Sequence, residues 1–318
     1  MKIKRVLASF MALATVATAT VAIVSAAATG SLKVSVEDTT AKAGEEFVLN
    51  VNLSNIPSTG IMGVDFAVSF DSSLVTISGV EEGPIGKTGA AEAELALDGG
   101  LASSMLDGGD YSCFDYYVTD NQICALWATG LDDSSYWIKD DGVYMTISGT
   151  VKENVEAGTK IKFDVVPVER ETYPGSGTMN TDIILGYYDG SGDPVIYNVE
   201  VESGIITVEG KETETEPTET EPTETEPTET EPTETEPTTT DEELPSDFEP
   251  LYGDVNLDGD VRITDVVEFN KFIVGATEFN AMQKVNADAY YDGKLNMQDN
   301  MHIASYLCMK VSELGPTE

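Results

Sequence analysis

From residue 31 to residue 209, apolar and polar side chains alternate in short runs: LKVSV, EFVLNVNL, GVDFAVSF, QICALWA, GVYMTISGTV, IKFDVV and GIITV. Turn-forming residues interrupt them every ten or so positions. A period of two sends successive side chains to opposite faces of an extended strand, and Val, Ile, Phe and Tyr suit that pleated surface. The pattern predicts an all-β, antiparallel sandwich of Greek-key or jelly-roll type. Between Gly83 and Asp110 the chain is rich in Gly and Ala and loses the alternation, which reads as a loop insertion with room for a short helix. Near the C-terminus the period changes. Val266, Phe269 and Ile273 recur at i, i+3 and i+7, and Ile303 and Leu307 repeat the last two at an offset of 34 residues. That is the stripe of an amphipathic helix, met twice, and packing the two stripes together predicts a small all-α domain with near-twofold symmetry.

Between these regions, residues 211 to 240 repeat Thr-Glu-Thr-Glu-Pro with Pro217, Pro222, Pro227, Pro232 and Pro237 in register. The segment has almost no apolar surface to bury and its glutamates repel one another, so it reads as a disordered Thr/Glu/Pro linker. Together with the acidic stretch to Pro250, at ~3.1 Å per residue in polyproline II form, it could separate its flanks by up to roughly 100 Å. The expected organisation is thus a signal peptide over 1–28, a sandwich over 29–210, a linker over 211–250 and a small domain over 251–318. The first of these rests on Lys2, Lys4 and Arg5, the apolar run Val6 to Val24, and the small residues Ser25 to Ala28 that suit a signal peptidase. Export is the expectation, and no second apolar run of about 20 residues predicts a membrane span.

The formal charge of the 318 residues is −40, and loss of the three basic residues of the leader takes it to −43. Such a field repels phosphate backbones and anionic lipid, which argues against nucleic-acid or direct membrane binding and makes divalent cations natural partners. Cys113, Cys124 and Cys308 are odd in number and lack C-x-x-C spacing, so they suggest neither a disulfide framework nor a zinc site; free thiols are the expectation, with a Cys113–Cys124 bridge as the alternative should their strands adjoin. The single histidine, His302, leaves little room for His-based nucleophilic chemistry.

After the linker comes GDVNLDGDVRITD, and 34 residues later ADAYYDGKLNMQD. An EF-hand-type loop supplies oxygen from positions 1, 3, 5, 7, 9 and 12, with glycine at position 6 for the sharp turn. In the first copy these are Asp254, Asn256, Asp258, the carbonyl of Asp260, Arg262 and Asp265, with Gly259 at the turn. Arg262 has no oxygen to offer, so water is expected there. The second copy has Asp288, Tyr290, Asp292, the carbonyl of Lys294, Asn296 and Asp299, with Gly293 at the turn. Tyr290 at position 3 removes a carboxylate or amide, which weakens that site. Two Ca2+ ions are expected, with folding of the segment linked to them; an acidic turn without metal is the competing reading, stronger for the second loop.

With these residues in place, residues 251 to 314 resemble a dockerin, the module that plugs cellulosomal proteins into scaffoldins. The duplicated D-x-N-x-D-G loop, aspartate at position 12 and helix entry directly after it carry the resemblance. It implies a partner face made of Ile263, Thr264, Asn270 and Lys271 in the first copy and Met297, Gln298, Ala304 and Ser305 in the second. The two sets differ, which implies that one copy dominates binding. The stretch before the linker resembles a cohesin, the receptor for dockerins, through AKAGEEFVLNVNLSNIPSTGIMGVDFAVSFDSSLVTISGV, QICALWA, KDDGVYMTISGTVKENVEAGT and GIITVEG. That resemblance implies recognition on one flat sheet face through Asp65, Tyr117, Leu126, Ala128 and Thr129, with Asp65 accepting hydrogen bonds from a partner's loop hydroxyl. Gly63 and Thr129 stand where related cohesins often carry an Asn and an acidic residue.

Together the resemblances imply a non-catalytic, extracellular adaptor scaffoldin of a cell-surface-associated multienzyme complex. Its cohesin would take a dockerin-bearing protein, such as a plant-polysaccharide-degrading enzyme, and its dockerin the cohesin of a larger scaffoldin. The two halves should then not recognise each other, or chains would assemble head to tail. Two other classes compete for the sandwich. A glycosidase needs two carboxylates ~5 to 9.5 Å apart in a cleft, and with 57 acidic residues chance pairs decide nothing. A carbohydrate-binding module needs exposed rings, for which Tyr111, Tyr116, Tyr117, Trp127, Tyr136 and Trp137 are candidates.

Overall fold

The computed structural model of the chain describes residues 31–97, 112–210, 244–245 and 248–316. The expected signal peptide, Tyr111 and most of the linker lie outside the described residues. The strands, in chain order, are β1 (Leu32–Val36), β2 (Thr39–Lys42), β3 (Glu46–Ser54), β4 (Gly63–Ser69), β5 (Val75–Glu82), β6 (Phe114–Val118) and β7 (Gln122–Ala128). After them come β8 (Gly142–Val151), β9 (Lys160–Val166), β10 (Ile184–Tyr188), β11 (Pro194–Ile196), β12 (Val199–Glu202) and β13 (Gly204–Glu209). One sheet runs β12-β1-β3-β8-β5; the other runs β11-β10-β4-β9-β13-β2, with β7 along β4 and β6 beyond β7. The sheets are mixed rather than wholly antiparallel, because β1 pairs parallel to β12 and β13 pairs parallel to β2. Helix α1 (Ala90–Leu97) occupies the irregular stretch.

The two sheets bury one continuous core. Val34, Leu49, Val51 and Leu53 from one sheet and Val64, Phe66, Ile123, Trp127 and Phe163 from the other are fully inside, and every buried member belongs to the sandwich. The sandwich is therefore self-contained in its apolar packing. β4 and β7 depart from the alternation of the other strands: six of the seven positions of β4 and all seven of β7 are buried. Val64, Phe66, Val68, Ile123, Ala125 and Trp127 point into the sandwich core. Ala67, Cys124, Leu126 and Ala128 point the other way, into a second core.

That second core belongs largely to the C-terminal domain, made of α2 (Ile263–Ile273), α3 (Ala281–Ala287) and α4 (Met297–Leu307). Val255, Val261, Phe269, Ile303 and Leu307 are fully buried in it, and the pairing of the two amphipathic stripes is as the periodicity predicts. Helix α3 was not foreseen. Its start is marked by a capping box in which Asn280 and Gln283 exchange side-chain and backbone hydrogen bonds. No described helix is long and apolar enough to cross a membrane. All three cysteines are buried and outside any disulfide, and burial pushes the Cys124 thiol up to about 12 and the Cys308 thiol well above its ordinary value, so neither of these two is a reactive thiolate at neutral pH.

Candidate partner-binding face and metal loops

The two acidic loops fold alike. Position 4 of each takes a positive φ, 62° at Leu257 and 60° at Tyr291, and so does the glycine at position 6, 95° at Gly259 and 78° at Gly293. The carboxylate at position 1 then accepts backbone N–H groups across the turn. Asp254 takes those of Asp258 (3.0 Å) and Gly259 (3.1 Å), and Asp288 takes those of Asp292 (3.0 Å) and Gly293 (3.1 Å). At position 12, Asp265 accepts from Val255, Asn256 and Arg262, and Asp299 accepts from Tyr290 and Asn296. Each loop thereby turns its acids inward. Carboxylate oxygens of Asp288, Asp292 and Asp299 all lie within 4.8 Å of one another. Burial and neighbouring carboxylates push Asp254 and Asp299 up to about 7 and hold Asp265 well above the usual carboxylate range. Such a cluster of converging oxygens is stabilised by a hard divalent cation, and the donor set fits one.

Not every expected ligand faces that point. The Tyr290 ring packs edge-on against His302 at 5.5 Å and is 49% exposed, because an aromatic ring at position 3 is better placed on a neighbouring ring than in a ring of charges. The Asn296 side chain accepts from the Gln298 N–H at 2.7 Å and caps α4, so it serves the helix terminus. Arg262, at position 9 of the first loop, turns its guanidinium to Asp260 at 2.6 Å.

α2, which begins inside the first loop at Ile263, lies across the outer face of β4 and β7. Gly63 makes the close approach possible: a Cβ there would stand 3.2 Å from Ile263 and 3.4 Å from Val267. The edges of the contact are polar. Tyr188 donates from its hydroxyl to the Thr264 carbonyl (3.1 Å), the Val261 N–H donates to the Thr172 carbonyl (3.0 Å), and the Tyr306 hydroxyl donates to the Glu171 carbonyl (3.0 Å). Lys271 reaches Asp132 at 3.6 Å and lies 4.8 Å from the Tyr188 ring centre, while Lys310 pairs with Asp115. Beneath the helices sits Arg170, whose guanidinium donates to Asp65 (3.1 Å), to the Val261 carbonyl (3.1 Å) and to the Glu171 carbonyl (3.1 Å).

The predicted residues fall into three groups. Leu126 and Ala128 on the sandwich, and Ile263, Thr264, Asn270, Lys271, Met297, Ala304 and Ser305 on the helices, all lie at or beside this contact. Between β6–β7 and α4 a cleft of about 190 Å³ remains, so the second copy packs less closely than the first. Asp65 lies under the helices, but its partner is Arg170 and not a loop hydroxyl; burial raises its carboxyl more than the guanidinium lowers it. Thr129 is fully buried and donates to Glu94, so it supports the sheet from below. Tyr117 and Gln298 are exposed and outside the contact. The expectation that the two halves do not recognise each other is corrected: they meet along the face implied for partners. Arg170, Tyr188 and Thr172 were missed: Arg170 and Thr172 stand in a stretch that reads as an exposed loop, and Tyr188 ends β10, a strand that no alternating run marks. A usable signal was the apolar outer face of β4 and β7, which a solvated sheet would make polar.

Among the described residues, the aromatic candidates do not form a sugar platform. Trp127 is fully buried, Tyr116, Tyr136 and Trp137 are half-buried, and Tyr117 alone among those described is exposed.

Residues 32–182 match the cohesin domain family and residues 252–308 the dockerin type I domain family. The chain is 29% identical over 170 residues to cellulosomal-scaffolding protein B of Acetivibrio thermocellus, covering 49% of this chain and 20% of that protein. It is 30% identical over 177 residues to cellulose-binding protein A of Clostridium cellulovorans, covering 52% of this chain and 8% of that protein. The chain thus spans a fifth or less of the length of these curated relatives. A solved cohesin of Acetivibrio cellulolyticus, in complex with a dockerin, aligns at 21% identity over 56% of this chain and 99% of its own, with a TM-score of 0.40.

Proposed function

We infer that this chain, which carries a cohesin domain over residues 32–182 and a type I dockerin domain over residues 252–308, is a non-catalytic adaptor scaffoldin of a cellulosome. Its cohesin takes the dockerin of another protein, and its dockerin docks into the cohesin of a larger scaffoldin. The observation that carries this reading is the outer face of β4 and β7: small apolar side chains, a glycine gap at Gly63 and a ring of polar partners, shaped to receive a dockerin-type helix. Flat apolar centres with polar rims are the anatomy of protein interfaces, not of catalytic clefts. The leader-like residues 1–28 support export, and the relatives named above support an extracellular complex.

The isolated sandwich, residues 29–210, tests it by calorimetry against a panel of dockerins and against soluble plant polysaccharides, each with calcium and with chelator. Calcium-dependent binding to a dockerin is the expected result. Binding to sugar alone would replace the cohesin half of the reading with a carbohydrate-binding module.

Two calcium ions fit the dockerin, held by Asp254, Asn256, Asp258 and Asp265 in the first loop and by Asp288, Asp292 and Asp299 in the second. The second loop has one ligand fewer, so it should be the weaker. Restoring a carboxylate with Tyr290→Asp is expected to tighten the weaker of two calorimetric binding steps by about tenfold, leaving the stronger unchanged. An unaltered weak step would show that the second loop does not hold calcium through position 3.

A further inference from the structure

We propose that the cohesin face of this chain is occupied by the dockerin of the same chain, so that the calcium-loaded protein is a closed monomer which opens only by exchanging its internal partner for an outside one. The proposal rests on the cohesin and dockerin reading above and adds to it that the two halves are mutually selective.

Selectivity is written into both surfaces. Gly63 leaves the gap that Ile263 and Val267 fill, and a Cβ at Gly130 would come within 2.4 Å of the Asn270 carbonyl carbon, so two side-chain-free positions match one helix. Charge is matched as well. The dockerin region has five basic residues, Arg262, Lys271, Lys284, Lys294 and Lys310, in a chain of net charge −40. Three of them meet acids of the sandwich: Arg262 faces Asp182 at 3.9 Å, Lys271 faces Asp132 at 3.6 Å, and Lys310 pairs with Asp115. Arg170 and Arg262 are the two arginines after residue 28, and both stand at this contact, Arg170 reaching back to the Val261 carbonyl.

The connector allows closure. By composition residues 211–250 can reach up to roughly 100 Å, well beyond the size of either domain, and tethering of this kind sets an effective concentration on the order of millimolar. An outside partner must outcompete that tethered domain. Closure also removes the head-to-tail assembly that mutual recognition would otherwise drive, because both surfaces are satisfied within one chain.

The test uses the full chain with a protease site placed in the linker. Light scattering in calcium should give the mass of one chain from low to high micromolar concentration. After cleavage the two halves should co-elute, and zero-length carboxyl–amine cross-linking before cleavage should join Lys271 to Asp132 within the monomer band. Gly63→Glu should weaken retention of the dockerin half by roughly tenfold to a hundredfold, by overpacking the gap. The same variant's sandwich should keep its thermal transition, since position 63 lies on the outer face. Halves that separate in calcium would overturn the proposal; if the sandwich still captured another dockerin, the adaptor reading would stand without it. A concentration-dependent ladder of oligomers would overturn closure within one chain and place the same contact between chains. Capture of no dockerin, internal or external, would remove both readings.

Discussion

Excess chelator added to the folded protein is expected to melt residues 251–314, release them from the sandwich and leave the sandwich folded. A domain of about 60 residues buries too little surface to be more than marginally stable alone. This one also has to hold Asp254 and Asp265 inside, 4% and 0% exposed, beside Asp258, and a second cluster of Asp288, Asp292 and Asp299. At free calcium 1,000 times the dissociation constant, one bound ion contributes about 4.1 kcal/mol, and two such ions would exceed the net stability of many small domains. Far-ultraviolet circular dichroism of the C-terminal fragment should lose its helical minimum with chelator and regain it with calcium. In the full chain the sandwich transition should persist, because its core contains no dockerin residue. Helicity indifferent to chelator would mean that the loops fold on backbone hydrogen bonds alone.

The docked face is coupled to the same event. Val261, Ile263 and Thr264 are positions 8, 10 and 11 of the first loop itself, and the Asn256 amide at loop position 3 lies 3.4 Å from the Tyr188 hydroxyl of the sandwich. Losing the loop therefore dismantles both the helix that docks and the polar rim around it.

How much of this was readable in the sequence depended on whether a residue's role is local. Strands β1, β3, β8 and β9 were legible because one face of each meets the core and the other meets water, which writes a clean alternation. β12 was not, since its VEVE pattern is mostly exposed and it is held by pairing to β1, a partner 167 residues away at the Leu32–Val199 match. The parallel pairs β1–β12 and β2–β13 were illegible for the same reason: pairing direction is decided by the path of the chain, not by any short segment. In the loops, position and glycine indicated which acids turn inward on their own backbone, but not that Tyr290 would turn to His302 or that Asn296 would cap its helix, because each has a competing local partner. α3 carried a readable signal in Asn280-Ala-Met-Gln283. Arg170 carried none; it stands in VERETYPGSG, which reads as an exposed loop, and its role appears only when a second domain covers it.

That buried arginine gives the second large effect. Arg170 and Asp65 are 5% and 1% exposed, joined at 3.1 Å beneath α2, and the Arg170 Nε makes no hydrogen bond among the described residues. A buried pair of this kind contributes little net, yet removing one partner leaves a bare charge and costs about 3–5 kcal/mol. Arg170→Leu should therefore weaken docking of the dockerin by a factor of at least a hundred, through the stranded Asp65 carboxylate and the loss of the bond to the Val261 carbonyl. Asp65→Asn added to Arg170→Leu removes the stranded charge and should recover most of that loss, so the double variant binds better than the single one. In the undocked sandwich the same face meets water, and the single variant should cost far less in thermal stability than it does in docking. Calorimetry of the variants against the dockerin fragment separates the cases. An Arg170→Leu sandwich that docks as well as the parent would show that the pair is a passenger of the sheet and that the apolar contact at Gly63 alone decides recognition.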